Sequence, residues 1–117
     1  MEYFNQLTPA QAELLALLAE ECGECIQAIG KILRHGYAST NPLHPGSSNN
    51  ADSLAKEMGD VRAAMILLCD AGPISKEQVH FNADMKLANV GRWLHHQAPN
   101  VKFSENQALS VSAVTAG

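Results

Sequence analysis

An all-α fold, a bundle of three main helices, is expected from this sequence on three grounds. No period-two alternation of apolar and polar residues lasts long enough to read as a strand. Three stretches instead repeat their apolar residues at the helical period, each bounded by capping or breaking residues. Aromatic residues make up only 5% of the chain, so the core must be assembled from Leu, Ile, Val, Ala and Met. The 117 residues suit one compact domain and are too few for two comfortable ones.

The first helix is expected over residues 9–34. Thr8 caps it, Pro9 suits the first position because its missing N–H would be unpaired there, and Gln11 closes a capping box. His35-Gly36 stops it. Gly23 and Gly30 lie inside it, each costing roughly 1 kcal/mol against Ala, so they need a packing or functional reason. Residues 36–51, with two prolines, two glycines and several Ser and Asn, form a long loop. The second helix spans 52–71, capped by Asp52 or Asn50 and ended by Gly72-Pro73. The third starts at the capping-box pattern Ser75-Lys76-Glu77-Gln78 and runs to about residue 97, with Pro99 as its stop. The helical domain is thus 1–98. Residues 99–117 have no helical apolar stripe and read as a flexible tail that orders only on a partner. Three such helices bury little by themselves, so the bundle is expected to be completed by oligomerisation.

Composition excludes several classes. Hydrophobic residues at 46% and charged residues at 17% are wrong for a disordered chain. A net charge of −4 and a pI near 5.6 exclude a protein that coats nucleic acid polymers. No apolar run approaches the roughly 18 residues of a membrane helix, and MEYFNQLTPAQ lacks the regions of a signal peptide. Three cysteines are an odd set for a disulfide scaffold and suit a reducing compartment. A cytoplasmic location, away from membranes, is the expectation.

The chemistry lies in the acids. The apolar stripe of the first helix is Leu14, Leu18, Cys22, Cys25, Ile29, Ile32 and Leu33, with Glu21 inside its edge, Glu24 at its border and Glu20 turned towards solvent. In the second helix the stripe is Leu54, Met58, Val61, Met65 and Leu68, with Glu57 inside its edge and Asp60 at its border. Leu18-Ala19-Glu20-Glu21-Cys22-Gly23-Glu24-Cys25 aligns with Leu54-Ala55-Lys56-Glu57-Met58-Gly59-Asp60-Val61. Residues three apart on a helix are neighbours, so each helix offers two carboxylates side by side. Packed together, the helices would bring four acids into one partly buried place, where they repel strongly. A divalent cation resolves the repulsion, and hard oxygen ligands suit Mg²⁺ or Mn²⁺. Gly23 and Gly59 would let a backbone or a ligand come close. The alternative is that the acids merely solvate a surface.

The third helix carries the stripe Val79, Ala83, Leu87, Val90 and Leu94, with Lys86 inside it, Asn82 and Asn89 at one margin, and Trp93 beside them. A lysine on an apolar face snorkels to water; beside a metal cluster it would contact phosphate, with Asn82 or Asn89 as a further polar contact.

With Glu20-Glu21-x-x-Glu24, Glu57-x-x-Asp60 and Lys86-Leu87-Ala88-Asn89, the sequence resembles the MazG-like all-α nucleoside triphosphate pyrophosphohydrolases over roughly residues 10 to 95. The resemblance implies a helical bundle assembled as a homodimer or homotetramer. It also implies Mg²⁺ held by Glu21, Glu24, Glu57 and Asp60. The implied reaction cleaves an NTP or dNTP between the α- and β-phosphates. In that setting Glu24 is the first choice as proton acceptor, with Glu20 second. Lys86 would bind phosphate as a point charge, and Tyr37 and Trp93 are stacking candidates. Three features depart from the family pattern: a longer Glu24-to-Glu57 connection, a single motif set, and a tail without counterpart. The longer connection would serve as a lid or an oligomer contact.

Other motifs carry less. Cys22-Gly23-Glu24-Cys25 sits mid-helix, aligned with Met58 and Val61, and looks like core packing instead of a redox or zinc motif. Glu77-Gln78-Val79-His80 resembles half of a di-iron signature, but occurs once. The serious alternative to an enzyme is a non-catalytic helical module that binds a nucleotide or a protein partner through the same acidic face.

Overall fold

The computed structural model describes residues 4–98. In chain order it comprises α1 (Pro9–His35), α2 (Asn50–Ala71), α3 (Lys76–Asn89) and a short 3₁₀ helix, Val90–Trp93, with no strand among the described residues. The expected all-α, three-helix fold is what forms. No helix of the described residues is long and apolar enough to cross a membrane. The chain divides into two compact units, Met1–Pro73 and Ile74–Gly117. The tail expected at 99–117 lies outside the described residues, as does Pro99.

The first unit is an antiparallel helical hairpin. The capping box forms: Gln11 N–H donates to Thr8 Oγ1 (3.1 Å), and Thr8 N–H donates to the Gln11 side chain (2.9 Å). α1 ends at Gly36, whose φ of 86° a residue with a Cβ would rarely adopt. The cap of α2 is neither Asp52 nor Asn50 but Asn49, whose side-chain oxygen accepts from Asp52 N–H (2.9 Å). Asn50 is instead spent on the loop, since its side-chain N–H donates to Gly36 O (3.1 Å). Backbone bonds from Asn50 N–H to Ser39 O (2.9 Å) and from Ala51 N–H to Tyr37 O (3.0 Å) close the base of the loop. Asn41 folds its tip, accepting from Leu43 N–H on the side chain and from His44 N–H on the backbone.

The contact face of the hairpin is rotated from the one expected. Its buried residues are Ala28, Ala64 and Leu68, flanked by half-buried Leu14, Leu18, Glu21, Cys25, Leu54, Glu57 and Val61. These positions recur at spacings of three and four, the seam of two helices packed side by side. Cys22 and Met58, expected in the core, are exposed. So are Ile29 and Leu33. α1 therefore carries two apolar stripes. One faces α2 and includes Glu21; the other runs through Leu15, Ile26, Ile29 and Leu33, about 95° round the helix. The periodicity summed the two into one stripe centred between them.

In the second unit, Ser75 Oγ caps α3 by accepting from Gln78 N–H (3.2 Å). The helix stops at Asn89, not near residue 97. There the Asn89 side chain donates to Met85 O (2.7 Å) and accepts from Arg92 (3.0 Å), and the chain tightens into 3₁₀ geometry over Val90–Trp93 with Gly91 inside it. Lys86 is exposed, as is Ala83, while Val79, Leu87 and Val90 are half-buried.

Candidate metal centre

Because Glu21 and Glu57 belong to the contact face of the hairpin and Glu24 and Asp60 sit one turn on, antiparallel packing draws all four carboxylates together. One oxygen from each of Glu21, Glu24, Glu57 and Asp60 lies within 4.8 Å of the other three. Each of these residues is half-buried. Glu21 Oε2 and Glu57 Oε2 are buried with no hydrogen-bond partner among the described residues. A buried carboxylate oxygen left unpaired is costly, and two of them on residues of one acid cluster call for a cation. Octahedral Mg²⁺ holds oxygens at about 2.1 Å, so that opposite ligands stand about 4.2 Å apart. The 4.8 Å limit on the cluster's oxygen separations is of that order. The donor set fits a hard divalent ion.

One cation of the chain already meets the cluster, and the sequence reading overlooked it. Lys56 Nζ lies 2.8 Å from Asp60 Oδ2 and 3.7 Å from Glu57 Oε1. The hydrogen bond and charge of Asp60, then the charges of Glu57 and more weakly Glu24, hold the Lys56 ammonium above its usual pKa. The i, i+4 spacing of Lys56 and Asp60 was the signal that could have found it. Lys56 would compete with a metal for the same oxygens. Lys56→Ala is therefore expected to tighten Mn²⁺ binding by about two- to fivefold with little change in stability, because the ion pair it removes is exposed. Calorimetric titration checks this, and weaker binding would mean that Lys56 orders the ligands instead.

Glu20 is exposed and outside the cluster. A Cβ at Gly23 or Gly59 would meet nothing within 4 Å, so neither glycine serves a close approach of protein backbone within the described chain. Gly23→Ala is expected to stabilise the protein by up to about 1 kcal/mol through helix propensity alone. Denaturant unfolding reads this directly, and a loss of stability would reveal a contact made there. Beside the acids, a cavity of about 340 Å³ is lined by Glu24, Gln27, Ala28, Lys31, Asn50, Ser53 and Glu57. Gln27 and Lys31 were not singled out by the sequence, although they follow Glu24 by three and seven residues on one helix face.

Lys86, Asn82, Asn89 and Trp93 lie in the second unit and are all exposed. Asn89 is engaged in ending its own helix. Tyr37, in the loop of the first unit, is 65% exposed.

A helical hairpin that gathers two carboxylate pairs at one half-buried point defines an all-α protein with a site suited to a divalent cation. The chain belongs to the MazG nucleotide pyrophosphohydrolase domain family, which it matches over residues 10–101. No curated protein and no solved structure gives a significant match.

Proposed function

We propose that this protein is a Mg²⁺-dependent nucleoside triphosphate pyrophosphohydrolase. It would cleave an NTP or dNTP between the α- and β-phosphates to the monophosphate and pyrophosphate, and Mn²⁺ would substitute for Mg²⁺. The observation that carries the reading is the four-carboxylate cluster with its two unpartnered buried oxygens, in a chain of this family. Glu21, Glu24, Glu57 and Asp60 would hold the cation. When bound, it neutralises triphosphate charge and lowers the pKa of a water molecule. Glu24, the acid of α1 that also lines the adjoining cavity, accepts the proton of the attacking water; Glu20, exposed one turn before it, is the second candidate. The water oxygen bonds to the α-phosphorus, and the bond to the bridging oxygen breaks, releasing pyrophosphate.

Lys86 contacts a phosphate oxygen as a point charge, with Asn82 or Asn89 adding a hydrogen bond and Trp93 a stacking face for the base. Lys86→Ala is expected to raise KM for the triphosphate about tenfold with unchanged helical content; a normal KM with a large loss of stability would make Lys86 structural. The enzyme acts as a homodimer or homotetramer in the cytoplasm, on free nucleotides and not on nucleic acid polymers.

Hydrolysis in ¹⁸O-labelled water tests the site of attack. The label is expected in the monophosphate. Label in pyrophosphate or in inorganic phosphate would place attack at another phosphorus and overturn the reading.

A further inference from the structure

We propose that the cleft between the end of α1 and the loop 36–49 seats the pyrophosphate end of the substrate, with Lys31 and Arg34 as its cationic contacts; this rests on the triphosphate reading above. Two cavities adjoin here, both inside the first unit. The one of about 340 Å³ lies against Glu24 and Glu57 and extends to Lys31, Asn50 and Ser53. The same three residues line a second cavity, of about 740 Å³, which continues to Arg34, His35 and His44 and to the hydroxyls of the loop. The two cavities therefore share a wall, and the larger lies beyond the smaller one along the last turns of α1.

The charge changes sign from the smaller cavity to the larger. None of the described residues lining the larger cavity carries a carboxylate, and neither Lys31 nor Arg34 is in an ion pair among the described residues. The carbonyl end of α1 favours cations in its last turn, where Arg34 and His35 stand. Arg34 Nη1 lies 3.6 Å from where a Cβ on Gly30 would be, so the guanidinium folds back one turn towards the acids. Lys31 is two turns beyond Glu24, about 10 Å along the axis, a gap that a phosphate chain and a lysine side chain together bridge.

The walls specify the ligand further. No Phe, Tyr or Trp is among the described residues lining the cavity, so it offers no large apolar ring for a base. It offers instead two cations and a rim of hydroxyls and amides, the chemistry that binds phosphate oxygens. The first amides of α2 do not supply this binding, because Asn50 and Ala51 N–H are spent on loop carbonyls. Those bonds also fix the loop as a wall of the cleft. With the α-phosphorus at the acid cluster, the leaving β- and γ-phosphates extend into the cationic cleft.

Titration calorimetry of the full chain with inorganic pyrophosphate and Mg²⁺ tests the proposal, with a nucleoside monophosphate as the second probe. Lys31→Ala and Arg34→Ala are each expected to raise the Kd for pyrophosphate about tenfold or more, while the monophosphate Kd changes less than about twofold. Arg34→Lys should restore part of the loss. Unchanged pyrophosphate affinity in both alanine variants would overturn the proposal, as would the absence of saturable pyrophosphate binding to the unaltered protein. Equal weakening of monophosphate binding would assign the cleft to the nucleoside and overturn it too. Hydrolysis by the unaltered protein reads the parent proposal separately: pyrophosphate binding that depends on Lys31 and Arg34, without turnover, would sink the enzymatic reading and leave the subsite standing.

Discussion

Glu57→Gln is expected to abolish metal-dependent hydrolysis, by more than about 100-fold in kcat/KM, while leaving helical content intact. Removing a group behind a metal ligand already costs about 10- to 100-fold, and Glu57 stands in the cluster itself. The same substitution should raise stability in EDTA. Four carboxylates with one oxygen each within 4.8 Å of the others repel, each pair by about 3.5 kcal/mol or more at an effective dielectric of ~20, less where Lys56 and water screen them. The substituted glutamine carries no charge, and its amide N–H can donate to a neighbouring carboxylate. The variant should therefore unfold at a higher temperature than the unaltered protein without metal, and gain less on addition of Mg²⁺. Full activity in Glu57→Gln would remove the acid cluster from the mechanism. Lower stability in EDTA would mean that Glu57 is held by contacts that its charge makes favourable.

Ile26→Glu combined with Leu33→Glu is expected to convert an oligomer into monomers. Ile26 is 68% exposed and Leu33 82% exposed, on the α1 stripe that does not face α2. Full burial of such a side chain is worth about 1.5–3 kcal/mol, so a second copy covering both would gain several kcal/mol from these positions alone. Two carboxylates in the same interface would be desolvated without partners. Sedimentation of the unaltered protein should report a dimer or tetramer, and of the double variant a monomer with unchanged helical content. A monomeric unaltered protein would contradict the proposed assembly. An oligomer that survives the double substitution would place its interface elsewhere.

The helices were legible because their ends are written in local chemistry. Thr8 with Gln11 and Gly36 act through neighbours a few residues away, and each does what the sequence suggests. Ser75 also caps its helix, though only its own half of the expected capping box forms. Where two side chains compete for one role, local reading erred. Asn49 and Asn50 are adjacent amides, and tertiary bonds to the loop decide which one caps. Asn89 ends α3 through its own side chain, ahead of the proline that looked like the stop. The acid pairs were legible from spacing, because i, i+3 and an offset of ten turns fix their faces before any packing is known. The packed face was not. Ala28 and Ala64, small enough to let two helices meet, weigh little in a hydrophobic count beside Ile29 and Met58, which stay outside. Lys56 was not legible because an i, i+4 lysine–aspartate pair is common on any solvated helix face. Lys31 and Arg34 were missed because their cleft is made by a loop whose path the sequence does not specify.

Pyrophosphate release across a panel of NTPs and dNTPs, with Mg²⁺, with Mn²⁺ and with EDTA, tests the central claim most directly. The expected result is pyrophosphate and monophosphate in equal amounts from at least one nucleotide, supported by either metal and abolished by EDTA. Release that persists in EDTA, or no release from any nucleotide with metal present, would contradict the assignment of the four carboxylates to a catalytic metal centre for nucleoside triphosphates.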